Sequence, residues 1–236
     1  MSFADARLAE QMEQFDEMVE FVSDMVEARL NGGSGPDTLP GQLSDEERRL
    51  FGVAYKNAIR SRRESLRIIK EAEAEQKKLF SADLVKVAGN LKQIVQDELT
   101  QLCAKGQRLV SLLLETAGSP PAKVTYYKMQ GDFARYIAEV SEGDEKISCA
   151  EIADHAYKVG CDIADKELKP NNSARIAISL NRSIFMYEVL NESAKAIGIA
   201  RSAFELGMSI DEDPSSESKI LFQLLRDNLT VWTTTN

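Results

Sequence analysis

Histidine is nearly absent from this chain: His155 is the only one among 236 residues. Designs built on pairs of imidazoles, catalytic or metal-binding, are thereby excluded, and the helical neighbours of His155 mark it as a structural residue. Cysteine is scarce too. Cys103, Cys149 and Cys161 are odd in number and have no metal-ligand spacing, which reads as reduced thiols in a cytoplasmic protein. No P-loop, nucleophile–base pair or defensible carboxylate pair is visible, so no enzyme, no cofactor and no metal is expected. No apolar run approaches membrane length, and the opening stretch MSFADARLAEQMEQF lacks the apolar core of a signal peptide. Positive charge is in deficit as well. The 29 Lys and Arg residues face 38 Asp and Glu, for a formal net charge of -9, which argues against nucleic acid or an anionic membrane as a partner.

Alternating apolar runs are missing, so no sheet is expected. Proline and glycine gather in a few places: a loop at NGGSGPDTLPGQ (31–42), and turns at AGSPPAK (117–123), KPNN (169–172) and DEDPSS (211–216). Between them the apolar spacing is helical. Ile152, Ala156, Val159 and Ile163, for example, follow the i, i+4, i+7, i+11 pattern. Two helix starts carry a capping-box pattern, Ser44–Glu47 (SDEE) and Ser148–Glu151 (SCAE). The sequence predicts an all-α single domain over 1–236 with about nine helices, near 3–15, 16–30, 44–72, 80–115, 121–141, 149–168, 172–190, 193–209 and 216–232.

Against the acidic background one stretch is strongly basic. VAYKNAIRSRRESLRII (53–69) carries five cationic side chains and one carboxylate, Glu64. Lys56, Arg63 and Arg67 are spaced 0, 7 and 11 along a helix and share a face, with Arg60 close by. A solvated charged face is one reading. The scarcity of i, i+4 carboxylates in the stretch raises another, an anionic ligand. A second stretch, YKMQGDFARYIAE (127–139), places Lys128, Asp132, Arg135 and Glu139 on one stripe, with Tyr136 beside it. Asp132 is spaced to orient a cation, and Arg135 with Tyr136 offers a planar donor fork and a phenolic O–H. Those groups suit a phosphate monoester; they equally suit an interhelical ion-pair network.

Two further helices have mixed faces. ISLNRSIFMYEVLN (178–191) sets Leu180, Ile184 and Tyr187 to one side, with Asn181 and Glu188 beside them. ILFQLLRDNLTVW (220–232) aligns Ile220, Leu224, Asn228 and Val231 and ends in Trp232, the only tryptophan. Such stripes read as core. The asparagines also fit a bound peptide backbone, since one side chain offers both a donor and an acceptor.

Together VAYKNAIRSRRESLRII, KVTYYKMQGDFARYIAE, SLNRSIFMYEVLN and LLRDNLTVW resemble the 14-3-3 proteins in order and spacing, over nearly the whole chain. This family is itself a standard example of Arg-cluster recognition of phosphorylated motifs. The resemblance implies nine antiparallel helices forming a cup-shaped subunit with one amphipathic groove. It implies that Lys56, Arg63, Arg135 and Tyr136 hold a phosphate and that Arg67, Lys128 and Asp132 support the pocket. Asn181 and Asn228 would fix the peptide backbone. Glu188 and Trp232 would stand at the groove wall, and Leu180, Ile184, Ile220, Leu224 and Val231 would make it apolar. The partners it implies are phosphorylated client proteins and a second subunit, as homodimer or heterodimer with a paralogue; nucleic acid and membrane are not among them.

The chain also departs from the family. The loop around 31–43 is longer than usual. Gln14 stands where the family has an arginine, and Leu91 and Ile94 stand where it has a tyrosine and a lysine, while Glu98 remains. A dimer would therefore rest on apolar contact, supplied by Leu8, Ala9, Met12, Leu91 and Ile94, more than on ion pairs. Three function classes follow: a non-enzymatic phosphoserine/phosphothreonine-peptide adaptor, favoured by the motifs; a helical scaffold binding acidic or helical partners independently of phosphorylation; and an enzyme, for which no residue set speaks.

Overall fold

The computed structural model describes residues 3–33, 38–78 and 82–235. They form helices α1 (Phe3–Gln11), α2 (Phe15–Leu30), α3 (Asp45–Lys78), α4 (Ala82–Thr116), α5 (Pro120–Val140), α6 (Gly143–Glu167), α7 (Ser173–Glu188), α8 (Ser193–Met208) and α9 (Ser216–Thr235). Among the described residues there is no strand, and no helix is long and apolar enough to cross a membrane. The fold is all-α, as the apolar spacing predicts. Residues 34–37 of the predicted 31–42 loop, and residues 80 and 81 at the predicted start of the fourth helix, lie outside the described residues.

Local chemistry sets several helix ends. The Ser44 box is formed: Ser44 N–H donates to Glu47 Oε2 at 2.9 Å, and Glu47 N–H donates to Ser44 Oγ at 3.2 Å. Glu47 is buried, and its Oε1 accepts from Arg29 Nε at 3.0 Å, so the cap is also tied to α2. The second box is a correction. Ser148–Glu151 lies inside α6, which already begins at Gly143. Asp144 and Glu145 occupy that first turn, where acidic side chains favour the helix dipole, and nothing breaks the helix before Ser148. Helix α1 stops at Gln11, short of the predicted residue 15. Glu13 adopts a left-handed φ of 55°, and Gln14 N–H closes onto Ala9 O at 3.0 Å, a helix stop for which the sequence shows no glycine.

The chain divides into two compact units, Met1–Leu113 and Leu114–Asn236. In the first, α2 packs on α1 and α3. Its buried residues include Met18, Val22, Val26, Leu50, Phe51, Tyr55 and Ile59, with Leu99, Cys103 and Leu109 from α4. Phe51 and Tyr55 hold their ring centroids 4.7 Å apart, and the Tyr55 hydroxyl shares a 3.0 Å hydrogen bond with Ser23 Oγ. Charged pairs bind the elements further: Arg62 reaches both Asp16 of α2 (2.5 Å) and Glu98 of α4 (3.2 Å).

In the second unit α7 is the central element, packed on α5, α6, α8 and α9. Tyr157, Ile176, Ile178, Phe185, Phe222, Leu225 and Trp232 belong to one buried cluster. Helices α5 and α6 pack most extensively, and the residues between them explain why the predicted apolar face of α6 is shifted. The buried positions are Ala153, Ala156, Tyr157, Gly160, Cys161 and Ala164, whereas Ile152 is exposed. Small side chains face inward because the helices approach closely. A methyl group added at Gly160 would collide with Ile178 Cδ1 and lie 2.9 Å from Tyr127 Cβ, and one at Gly131 would lie 2.6 Å from the Tyr157 ring.

Candidate functional site

Helices α5, α6 and α7 meet around one carboxylate. Asp132 of α5 is 7% exposed. Lys128, one turn earlier on the same helix, donates to its Oδ2 at 2.8 Å. Tyr157 of α6 donates its hydroxyl to Oδ1 at 2.5 Å. Asn181 of α7 donates its amide nitrogen to Oδ1 at 2.7 Å and to Oδ2 at 2.9 Å. An ionised carboxylate can only accept, so it dictates which end of the Asn181 amide faces it. Gly131 makes room for the Tyr157 ring beside Asp132.

Arg135 is the second buried charge, 4% exposed. It donates through Nη1 to Glu139 Oε1 at 2.7 Å and through Nε to the Tyr157 hydroxyl at 3.4 Å. Its Nη2 lies 3.8 Å from Asp132 Oδ1, and its guanidinium sits 4.3 Å from the centroid of the Tyr136 ring. The guanidinium is thus positioned before any ligand arrives. Burial alone would raise the Asp132 carboxyl, but the charges of Lys128 and Arg135 and the hydrogen bonds from Lys128 and Tyr157 outweigh it and hold the group below the ordinary range. Burial would likewise lower Lys128, and Asp132 reverses that. Tyr157 is pushed well above the ordinary tyrosine value by burial and by Asp132, so it remains a donor.

The charges of this cluster balance, Lys128 and Arg135 against Asp132 and Glu139. On α3 of the first unit, Lys56, Arg60 and Arg63 are exposed, opposite a buried face of Ala54, Tyr55, Ala58 and Ile59. Arg67 differs from its expected role as an uncompensated cation of that stripe. It pairs with Glu64 and Glu71 of its own helix, each at 2.6 Å. Glu71 lies four residues on, just past the end of the basic stretch, and completes an i, i+4 pair.

The residues expected to line a groove fall into two sets. On α9, Ile220 (63% exposed), Leu224 and Val231 form an exposed apolar stripe, with Asn228 half-buried. The opposite side of α9 anchors the helix through Phe222, Leu225 and Trp232. Trp232 is buried and stacks on Tyr187 with centroids 4.6 Å apart, and Leu180 is buried in the same core cluster. Ile184 is partly buried against that cluster, and Glu188 is exposed at the end of α7. Of the expected dimer residues, Leu8, Met12, Leu91 and Ile94 are each about half exposed. Ala9 is a correction: at 4% exposed it faces its own unit's core and offers no surface to a partner.

Sequence reasoning missed two features. Tyr157 links Asp132 to Arg135; the signal was a large hydroxyl-bearing residue among Ala153, Ala156 and Gly160 on a helix face. Leu84 and Val87 are also exposed and extend the Leu91/Ile94 stripe along α4, with a 3, 4, 3 spacing that was legible in the sequence.

The pattern of the family described as "14-3-3 protein" matches residues 5–233, and so spans both units. The 14-3-3-like protein G-BOX factor 14 kappa of Arabidopsis thaliana is 39% identical over 233 residues, 97% of this chain and 91% of that protein. The 14-3-3 protein of Eimeria tenella is 39% identical over 234 residues, 97% and 84% of the two chains. The 14-3-3-like protein B of Glycine max is 40% identical over 233 residues, 97% and 91%. This chain belongs to the 14-3-3 family.

Proposed function

We propose that the protein is a phosphoserine/phosphothreonine-peptide adaptor that regulates client proteins by binding their phosphorylated segments. Within this reading Arg135, Tyr136, Lys56 and Arg63 hold the phosphate, while Lys128 and Asp132 keep Arg135 in place. The observation that carries it is the immobilised Arg135, buried, charge-balanced and stacked on Tyr136 before any ligand is present. A donor held in one orientation loses little freedom when an anion binds, which is how pre-organised sites gain affinity. The cluster itself has zero net charge, so this reading assigns the balancing of the phosphate to the exposed Lys56 and Arg63.

Asn181 and Asn228 bind the peptide backbone, and Ile220, Leu224 and Val231 receive its apolar side chains. The protein carries out no catalysis and acts in the cytoplasm as a homodimer or as a heterodimer with a paralogue. Fluorescence anisotropy of one serine-containing peptide, phosphorylated and unphosphorylated, tests the reading. Binding of the phosphorylated form alone, lost after phosphatase treatment, is expected. Equal affinity for both forms would replace it with a phosphate-independent scaffold resting on the exposed apolar stripe of α9.

A further inference from the structure

A separate cavity of about 280 Å³ lies within the second unit, lined by α6, α7 and α8 and by Pro170 of the turn before α7. Its lining combines apolar side chains, among them Ile176, Ile199, Ala203 and Leu206, with the polar groups of Arg175, Arg182, Asp165 and Cys161. None of these residues belongs to the Asp132 cluster. On α7 the cavity takes Arg175, Ile176, Ser179 and Arg182, whereas Asn181 and Ile184 belong to the proposed peptide site.

The two arginines are not equivalent. Arg175 is committed: Nη2 pairs with Asp165 at 2.8 Å, and Nη1 donates to Leu168 O at 2.8 Å and Ala164 O at 3.4 Å. Arg182 is not. It has no ion pair among the described residues; its side chain hydrogen-bonds only the Cys161 thiol, and its Nε is buried without any acceptor. A buried, unsatisfied N–H of a charged group is costly and calls for an acceptor. The nearby thiol does not supply a charge. Burial pushes Cys161 up despite the Arg182 guanidinium beside it, so the thiol stays protonated. The hydroxyl of Ser179 is spent on Arg175 O at 3.0 Å.

We infer that this cavity binds a small organic monoanion, a carboxylate with an apolar tail, with Arg182 receiving the carboxylate and Ile176, Ile199 and Leu206 receiving the tail. Charge and size argue for that class. The lining carries two arginines and one carboxylate, which one negative charge balances and two overshoot. The volume lies at the small end of ligand sites, and the half-apolar wall favours an amphipathic ligand over a bare ion. Guanidinium is suited to a carboxylate through paired N–H donors.

The test is ligand-observed NMR on the whole protein with hexanoate and benzoate, their neutral counterparts hexanol and benzyl alcohol, and inorganic phosphate. Both carboxylates are expected to bind, with the alcohols and phosphate silent at the same concentration. Arg182→Met should weaken carboxylate binding at least about tenfold, the value of one charged hydrogen bond. Ser202→Trp, at an exposed position on the rim, should block the site without touching the buried charges. No binding at about 10 mM carboxylate, equal binding of the alcohols, tighter binding of phosphate, or indifference to both substitutions would each overturn the assignment. A phosphopeptide titration of Ser202→Trp separates the two sites: it should match the parent whatever the cavity does.

Discussion

Asn181 donates its amide nitrogen to both oxygens of the Asp132 carboxylate, at 2.7 and 2.9 Å, across 49 residues of sequence. The contact joins α7 to α5 and leaves the Asn181 carbonyl oxygen as the end that can accept from a peptide N–H. Asp132 therefore bears on two parts of the proposed site, holding Lys128 and Arg135 in register on one side and setting the Asn181 amide on the other.

Asp132 is expected to be the most costly single loss in the second unit. Asp132→Ala leaves Lys128 without its carboxylate and removes the acceptor of Tyr157 and Asn181. Removing one partner of a buried charge pair costs about 3–5 kcal/mol, and urea denaturation measures it. Tyr157→Phe removes the hydroxyl's short hydrogen bond to Asp132, about 1.5–3 kcal/mol, together with its long 3.4 Å bond from Arg135, with the lower end expected because Lys128 and Asn181 still hold the carboxylate. The folded-state pKa of Asp132 is depressed, so its stabilisation is complete above the unfolded value of about 3.9 and is lost as pH falls through the lower folded value. Parent and Asp132→Asn should differ most above about pH 4 and converge below it.

Phosphopeptide affinity should distinguish the faces of α3. Arg63 is exposed, so Arg63→Ala should weaken binding at least about tenfold with little loss of stability. Arg62 is held by Asp16 and Glu98, and Arg62→Ala should leave the affinity near that of the parent. Arg135 needs different handling. Because Arg135 is buried against Glu139, its replacement by alanine is expected to cost stability as well as binding. Anisotropy beside a thermal melt on each variant separates the two effects. Affinity should also fall below about pH 6, where the phosphate takes up its second proton.

Self-association should be insensitive to salt. The exposed stripe of α4 at Leu84, Val87, Leu91 and Ile94, with Leu8 and Met12 of α1, is apolar, and apolar burial is not screened by ions. Sedimentation is expected to give a dimer whose dissociation constant barely moves between low and high salt, and Ile94→Glu should yield monomer. A dimer that dissociates at high salt, or one that survives Ile94→Glu, would rule this interface out.

Gly160→Ala should destabilise the second unit by about 1–3 kcal/mol, as overpacking does, because the new methyl meets Ile178 and Tyr127. Gly131→Ala meets the rigid Tyr157 ring and should in addition disturb the Asp132 hydrogen bond, lowering phosphopeptide affinity as well as the denaturation midpoint. An unchanged midpoint for both would show that α5 and α6 separate at little cost.

What the sequence determined by itself was whatever depends on neighbours along the chain. Helical periodicity made the all-α class legible, the Ser44 capping box was readable in four letters, and the stripe Lys128, Asp132, Arg135, Glu139 followed from 3.6 residues per turn. The Arg67–Glu71 pair obeys the same rule across the end of the basic stretch, where the sequence carries its carboxylate two residues beyond Ile69. Tertiary structure decided which face meets which. It buried Ala9 and exposed Ile152, absorbed the Ser148 box into a longer α6, and placed Trp232 on Tyr187. It also brought Tyr157 and Asn181, from two other helices, onto one carboxylate of α5. Periodicity assigns a side chain to a direction around its own axis. The partner it meets depends on how closely neighbouring helices approach, and here that distance is set by the absence of side chains at Gly131 and Gly160.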